Sequence, residues 1–118
     1  MSTILVVDDE SNMRFMLRLI LETAGHEVAE APHGAAALER AQQSPPDVVV
    51  TDLMMPVMNG RELIERLRAD PATAGIPIVV VSANPRAPLP EADARLGKPF
   101  DADTLLETIR SLTENEAA

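Results

Sequence analysis

Cysteine, tryptophan and tyrosine are absent from the 118 residues, and the only aromatics are Phe15 and Phe100. Without cysteine there is no disulfide scaffold, no thiolate zinc site and no Cys nucleophile, and a reducing compartment is permitted. Since 46% of the chain is nonetheless hydrophobic, the core must be built from Val, Ile, Leu, Met and Ala. Basic residues are the scarcer charge, 10 against 19 acids, and the net −9 argues against direct nucleic-acid binding through a basic face. Long apolar runs are missing too. Ile4–Val7 ends in three acids after four residues, too short for a secretion signal. Nothing approaches the length of a membrane span. These absences leave a one-domain chain with an aliphatic core, expected in the cytoplasm with no membrane partner.

What is present is alternation. Ile4–Val7, Glu27–Ala31, Asp47–Thr51 and Pro77–Val81 read as strands, the first, third and fourth as near-continuous Val, Ile and Leu. Such runs mark a parallel sheet covered on both faces. Between them, Met13, Met16, Leu17, Ile20 and Leu21 follow helical spacing, with Gly25 as a natural stop. Residues 34–42 form an Ala-rich second helix, and Leu63, Ile64 and Leu67 mark a third. Asp101 reads as the N-cap of a last helix carrying Leu105, Leu106, Ile109 and Leu112, followed by a frayed tail. The pattern predicts an open, doubly wound α/β sheet with right-handed crossovers.

In that architecture ligands bind beyond the carboxyl ends of the strands. Asp8 and Asp9 follow the first strand, Asp52 the third and Ser82 the fourth. Three carboxylates in one pocket repel unless one is protonated or a hard divalent cation sits among them. Mg²⁺ suits two carboxylates and a carbonyl, because it takes oxygen ligands and keeps several waters. Lys98, in "GKPF" before the last helix, adds an ammonium. A dication, an ammonium, a hydroxyl and backbone N–H groups together can neutralise a phosphoryl group, with Asp52 as nucleophile and an acyl phosphate as product. His26 and His33 lie outside this set, lack metal-ligand spacing and read as surface positions. Met54, Met55 and Met58 read as packing and loop shape.

At these residues the chain resembles the receiver domain of two-component response regulators. The pieces are "ILVVDDE", "VVVTDLMMPVMNG", "VVVSA" and "GKPF", in the family's order, and D-x-x-M-P-x-M-N-G at residues 52–60 is the most specific of them. The resemblance spans residues 3–113. It implies a single receiver domain over 1–118 with a flavodoxin-like five-stranded parallel sheet in the order 2-1-3-4-5. It further implies that Asp52 is the phosphoacceptor and that Mg²⁺ or Mn²⁺ is held by Asp9 directly, by Asp8 largely through bound water, by Asp52, and by the backbone carbonyl of Met54. Ser82 and Lys98 then contact the phosphoryl group, the Lys98–Pro99 bond is cis, and Pro56 and Gly60 shape the loop after Asp52. Met54 and Asn84 would flank the path of attacking water. The implied partners are a sensor histidine kinase or histidine phosphotransfer protein and an unnamed downstream protein. The implied role is signalling and not turnover of a substrate.

Two other chemistries fit the residues less well. Haloacid-dehalogenase-like phosphatases use D-x-D after the first strand, whereas residues 8–10 read Asp, Asp, Glu. Neither G-x-G-x-x-G nor a Walker motif is present. The remaining alternative is a receiver-like binding module that works without phosphorylation, against which the full set Asp8, Asp9, Asp52, Ser82 and Lys98 argues.

One stretch departs from the family. Ser82 and Lys98 lie 16 positions apart, an interval shorter than the family's by roughly six residues, or over one and a half helical turns. Pro85, Pro88 and Pro90 fall inside it and lack the N–H a helix needs. The fourth helix is therefore expected to be shortened or absent, and segment 83–92 to be an irregular, mobile connection whose ordering acts as the switch. A short fifth strand is expected at about Ala94–Gly97. Arg95 stands where the family often has Tyr or Phe. It is expected to stay near solvent, since desolvating a guanidinium is costly.

Overall fold

The computed structural model describes residues 2–53, 55, 58–83 and 92–117, with side chains to residue 113. Its elements run β1 (Thr3–Val7), α1 (Ser11–Thr23), β2 (Glu27–Ala31), α2 (Gly34–Gln43), β3 (Val48–Thr51), α3 (Gly60–Ala69), β4 (Ile78–Ser82), β5 (Ala94–Gly97) and α4 (Ala102–Ala117). The strands form one sheet in the order β2-β1-β3-β4-β5, every neighbouring pair parallel. This is the expected flavodoxin-like order.

Alternation along the strands divides the core in two. Leu5, Val7, Val49, Ile78 and Val80 face α2 and α3, meeting Ala37, Ala41, Leu63, Ile64 and Leu67. Ile4, Val6, Val48, Val50, Val79 and Val81 face α1 and α4, meeting Leu17, Leu21, Leu105 and Ile109. Side chains on a strand alternate between faces, so a continuous Val/Ile/Leu run is what a strand needs when helices cover both sides. The edge strands β2 and β5 carry the polar and small residues that a half-covered position tolerates.

Helix ends follow local chemistry. Asn59 caps α3, its Oδ1 accepting from Glu62 N at 2.9 Å, and Gly25 ends α1 at φ 95°, a conformation that favours glycine. At α4 the Asp101 carbonyl accepts from Leu105 N at 3.0 Å, while its carboxylate takes the Thr104 hydroxyl at 3.1 Å. Asp47 and Pro77 fall just outside their strands. Asp47 instead ties β3 to β1, donating its N–H to the Thr3 carbonyl and accepting from Thr3 N, both at 2.7 Å. Met16 departs from its expected place on the inner face of α1: it is exposed beside Phe15 and Leu19, because Leu17 and Leu21 already fill the stripe against the sheet.

Among the described residues no helix lies between β4 and β5. The expectations for Met54, Pro56, Asn84 and the prolines of segment 83–92 fall on residues outside the described set. β5 itself occupies the expected Ala94–Gly97, with Arg95 paired in register with Val80 and partly buried.

Candidate functional site

Parallel strands bring their carboxyl ends to one edge of the sheet. Asp8 follows β1, Asp52 follows β3, Ser82 closes β4 and Lys98 follows β5. Backbone bonds set their depth. Asp52 N donates to the Val7 carbonyl at 2.9 Å, Asp8 N to Ala31 at 3.2 Å and Lys98 N to Ser82 at 2.9 Å, so each residue continues its strand's ladder by one step. The Lys98–Pro99 peptide is cis.

Asp8 is buried, and two groups hold it. Its Oδ1 accepts from Glu10 N at 2.9 Å, and its carbonyl accepts from Arg14 Nη1 at 2.6 Å. Arg14 is anchored in turn by Glu30 on β2 at 3.1 Å. Asp52 is largely covered, and its Oδ1 accepts from Leu53 N at 2.8 Å. The Lys98 ammonium bridges the two acids, 3.4 Å from Asp8 Oδ2 and 3.6 Å from Asp52 Oδ1. Asp9 stays exposed at the rim, yet one carboxylate oxygen from each of Asp8, Asp9 and Asp52 lies within 4.8 Å of the others. Ser82 is buried at the end of β4.

This donor set fits a hard dication. Three carboxylates against one ammonium leave a formal charge of −2, which one Mg²⁺ or Mn²⁺ cancels. Opposed ligands of Mg²⁺ stand about 4.2 Å apart, twice a bond length of roughly 2.1 Å, so oxygens already grouped within 4.8 Å need little adjustment. With a dication cancelling the acids, the fixed Lys98 ammonium beside them would suit a group that carries several anionic oxygens.

The sequence singled out Asp8, Asp9, Asp52, Ser82 and Lys98, and the fold carries all five on one edge. Met54, the expected carbonyl donor, lies outside the described residues. Reading the sequence missed Arg14, whose role depends on a contact with the Asp8 carbonyl across a helix start. His33 proves to be the cap of α2, its Nδ1 accepting from Ala36 N at 3.1 Å, and His26 Nδ1 accepts from Ser2 N at 3.2 Å. Met55 and Met58 are buried in the core beneath the loop after Asp52.

Comparison with known proteins agrees with this geometry. The profile of the response regulator receiver domain matches residues 4–110. The chain is 35% identical to protein PilH of Pseudomonas aeruginosa, the match covering 95% of this chain and 98% of that protein. It is 39% identical to part of the sensor histidine kinase TmoS of Ectopseudomonas mendocina, covering 98% of this chain and 12% of the kinase. Its fold is similar to that of the chemotaxis response regulator CheY4 of Vibrio cholerae, with a TM-score of 0.87 at 34% identity over 95% of this chain and 98% of that one.

Proposed function

Because the chain belongs to the response regulator receiver domain family of two-component signalling, we propose that it accepts a phosphoryl group on Asp52 from a histidine kinase or histidine phosphotransfer protein, in a Mg²⁺-dependent reaction, and relays the signal by docking to a downstream protein. The observation that carries this reading is the Lys98 ammonium held between Asp8 and Asp52, with Asp9 completing an acid cluster at the same edge. Residues 3–113 act as one domain. The working compartment is the cytoplasm. Among the described residues no helix is long and apolar enough to cross a membrane.

In the transfer, an Asp52 carboxylate oxygen attacks the phosphorus of a phosphohistidine. The new P–O bond forms as the P–N bond breaks, and the imidazole leaves with its bonding pair. The chain's residues supply position and charge. Leu53 N–H holds one Asp52 oxygen in place. Lys98 stands where it can pair with a phosphoryl oxygen, and the Ser82 hydroxyl serves as a further donor. Asp8, Asp9 and Asp52, with the Met54 carbonyl, are the residues that would hold Mg²⁺ or Mn²⁺. When bound, the cation neutralises charge on the phosphoryl oxygens. The domain turns over no separate substrate. It assists only its own phosphorylation and hydrolysis.

Intact-mass analysis after exposure to a phosphodonor in Mg²⁺ buffer tests the assignment. The wild-type chain gains one phosphoryl group in an acid-labile linkage, and Asp52→Asn gains none. Equal uptake by the variant would place the nucleophile elsewhere. No uptake by either, in the presence of a donor competent toward another receiver, would favour a module that works without phosphorylation.

A further inference from the structure

Glycine is used in two ways in this chain. Gly25 supplies a positive φ, and nothing lies within 4 Å of where its Cβ would be. Gly34 is the opposite case. It opens α2, it is buried, and a Cβ on it would stand 2.8 Å from Met58 Cγ and 2.9 Å from Met58 Cβ, pressed also against the Met58 carbonyl. Its N–H donates to that same carbonyl at 3.2 Å. Gly34 is therefore needed for space: the loop after Asp52 rests on the start of α2 where a side chain would otherwise be.

The loop is pinned at a second point. Gly60 lies so close to Asp52 that a Cβ would collide with the Asp52 carbonyl and sit 2.9 Å from Leu53 Cα, and Gly60 N donates to the Leu53 carbonyl at 2.9 Å. Leu53 N, in turn, donates to Asp52 Oδ1 at 2.8 Å. The contacts thus run from the Asp52 carboxylate through Leu53 to Gly60, which the chain joins through Asn59 to Met58, and from Met58 to Gly34. The Met58 side chain, buried beside Ala37 and Ala41 in the same core, has little room to yield.

We propose that Gly34 is a positioning residue for the phosphoacceptor loop, holding Met58 and through it the Leu53 N–H that orients Asp52. The proposal rests on the reading of Asp52 as phosphoacceptor. Its structural half can be read in metal-free protein without any phosphodonor. Coupling of this kind is reciprocal, so loading the site must in turn alter the opening of the Gly34 amide.

The test uses Gly34→Ala, with Gly75→Ala as control because nothing lies within 4 Å of a Cβ there. A Cβ at Gly34 overlaps the Met58 backbone and its packed side chain, so the melting temperature of Gly34→Ala is expected to fall despite the better helix propensity of alanine. In metal-free protein its amide resonances at residues 52, 53 and 58–60 shift while those of β1 and β4 stay. Phosphoryl uptake slows by roughly tenfold or more, in line with the cost of misplacing a reacting group by a fraction of an ångström to 1 Å. Gly75→Ala does neither. Wild-type uptake together with wild-type loop resonances in Gly34→Ala would overturn the proposal, as would shifts spread evenly over the whole sheet. Should the variant fail to fold, amide exchange in the wild-type chain decides. Protection of Gly34 that rises with Mg²⁺ and beryllofluoride supports the coupling, and unchanged protection refutes it. A wild-type chain that takes up no phosphoryl group would instead refute the function, and the metal-free loop shifts would still decide the role of Gly34.

Discussion

The Lys98 ammonium sits between two carboxylates that would otherwise face each other across the sheet edge. It balances part of their charge and competes with a dication for it. Two unit charges about 4 Å apart interact by roughly 1 kcal/mol even at the dielectric constant of water. Lys98→Ala is therefore expected to bind Mg²⁺ about fivefold more tightly and to lack the β5 amide shifts expected when beryllofluoride is added to the wild type. Calorimetric titration and amide spectra check both halves, and weaker Mg²⁺ binding by the variant would contradict the electrostatic role. His26 offers a test at the opposite end of the sheet. Burial lowers its pKa below the ordinary 6.5, and its Nδ1 accepts a hydrogen bond from Ser2 N that only the unprotonated nitrogen can accept. A lowered folded-state pKa means that the unfolded chain binds the proton more readily. The contribution is thus fully present above pH 6.5 and is lost as pH falls through the folded-state value. His26→Asn keeps an acceptor without the titration. Denaturant midpoints of the two chains should separate below pH 6.5, the wild type losing more stability on acidification.

At the level of elements, β5 is short, lies at the sheet edge and follows the proline-rich connection, so its anchorage matters. Asp93, just before it, supplies that anchorage. Its N–H donates to the Ile78 carbonyl at 2.9 Å, its Oδ2 accepts from Ile78 N at 2.7 Å, and the same oxygen accepts from Arg68 Nη2 at 2.7 Å. Arg68 also donates to the Ala74 and Ile76 carbonyls at 2.7 and 2.8 Å, fastening the turn between α3 and β4. Removing the carboxylate leaves a partly buried N–H at the start of β4 without its acceptor. Asp93→Ala should destabilise the fold by about 1–3 kcal/mol, the range for leaving a buried donor unsatisfied. Amide exchange should quicken first in β5 and at Ile78. Uniform exchange throughout the sheet, or no loss of stability, would show that β5 is held by other contacts. This brace sits at the amino end of the strands, away from the acid cluster, so Mg²⁺ affinity is expected to stay as in the wild type.

Across the whole molecule, the strands were legible because burial on both faces leaves no freedom of composition: Val48, Val49 and Val50 can only be interior. The five candidate residues were legible because a parallel sheet collects its strand ends at one edge. What was hidden has a common physical origin. Arg14 reaching the Asp8 carbonyl, Gly34 making room for Met58, and Asp93 clamping Ile78 are contacts between segments distant in sequence or across turns, and none leaves a periodic trace. Met16 misled because helical spacing marks a stripe wider than the sheet covers. The His33 cap of α2 and the His26 bond to Ser2 N were missed because imidazole is an uncommon acceptor for backbone N–H groups. The net charge of −9 carried no site information by itself; only the grouping of Asp8, Asp9 and Asp52 within 4.8 Å did.

On the proposed reading, this acid cluster and Lys98 act together on a phosphoryl group at Asp52. The most direct measurement is an amide-resolved titration with the phosphoryl mimic beryllofluoride, with and without Mg²⁺, in the wild type and in Asp52→Asn. Saturable shifts are expected at residues 8, 9, 52, 53, 82 and 98 in the wild type only when Mg²⁺ is present, and none of them in Asp52→Asn. Shifts that persist without Mg²⁺, that survive in Asp52→Asn, or that map away from this edge of the sheet would contradict it.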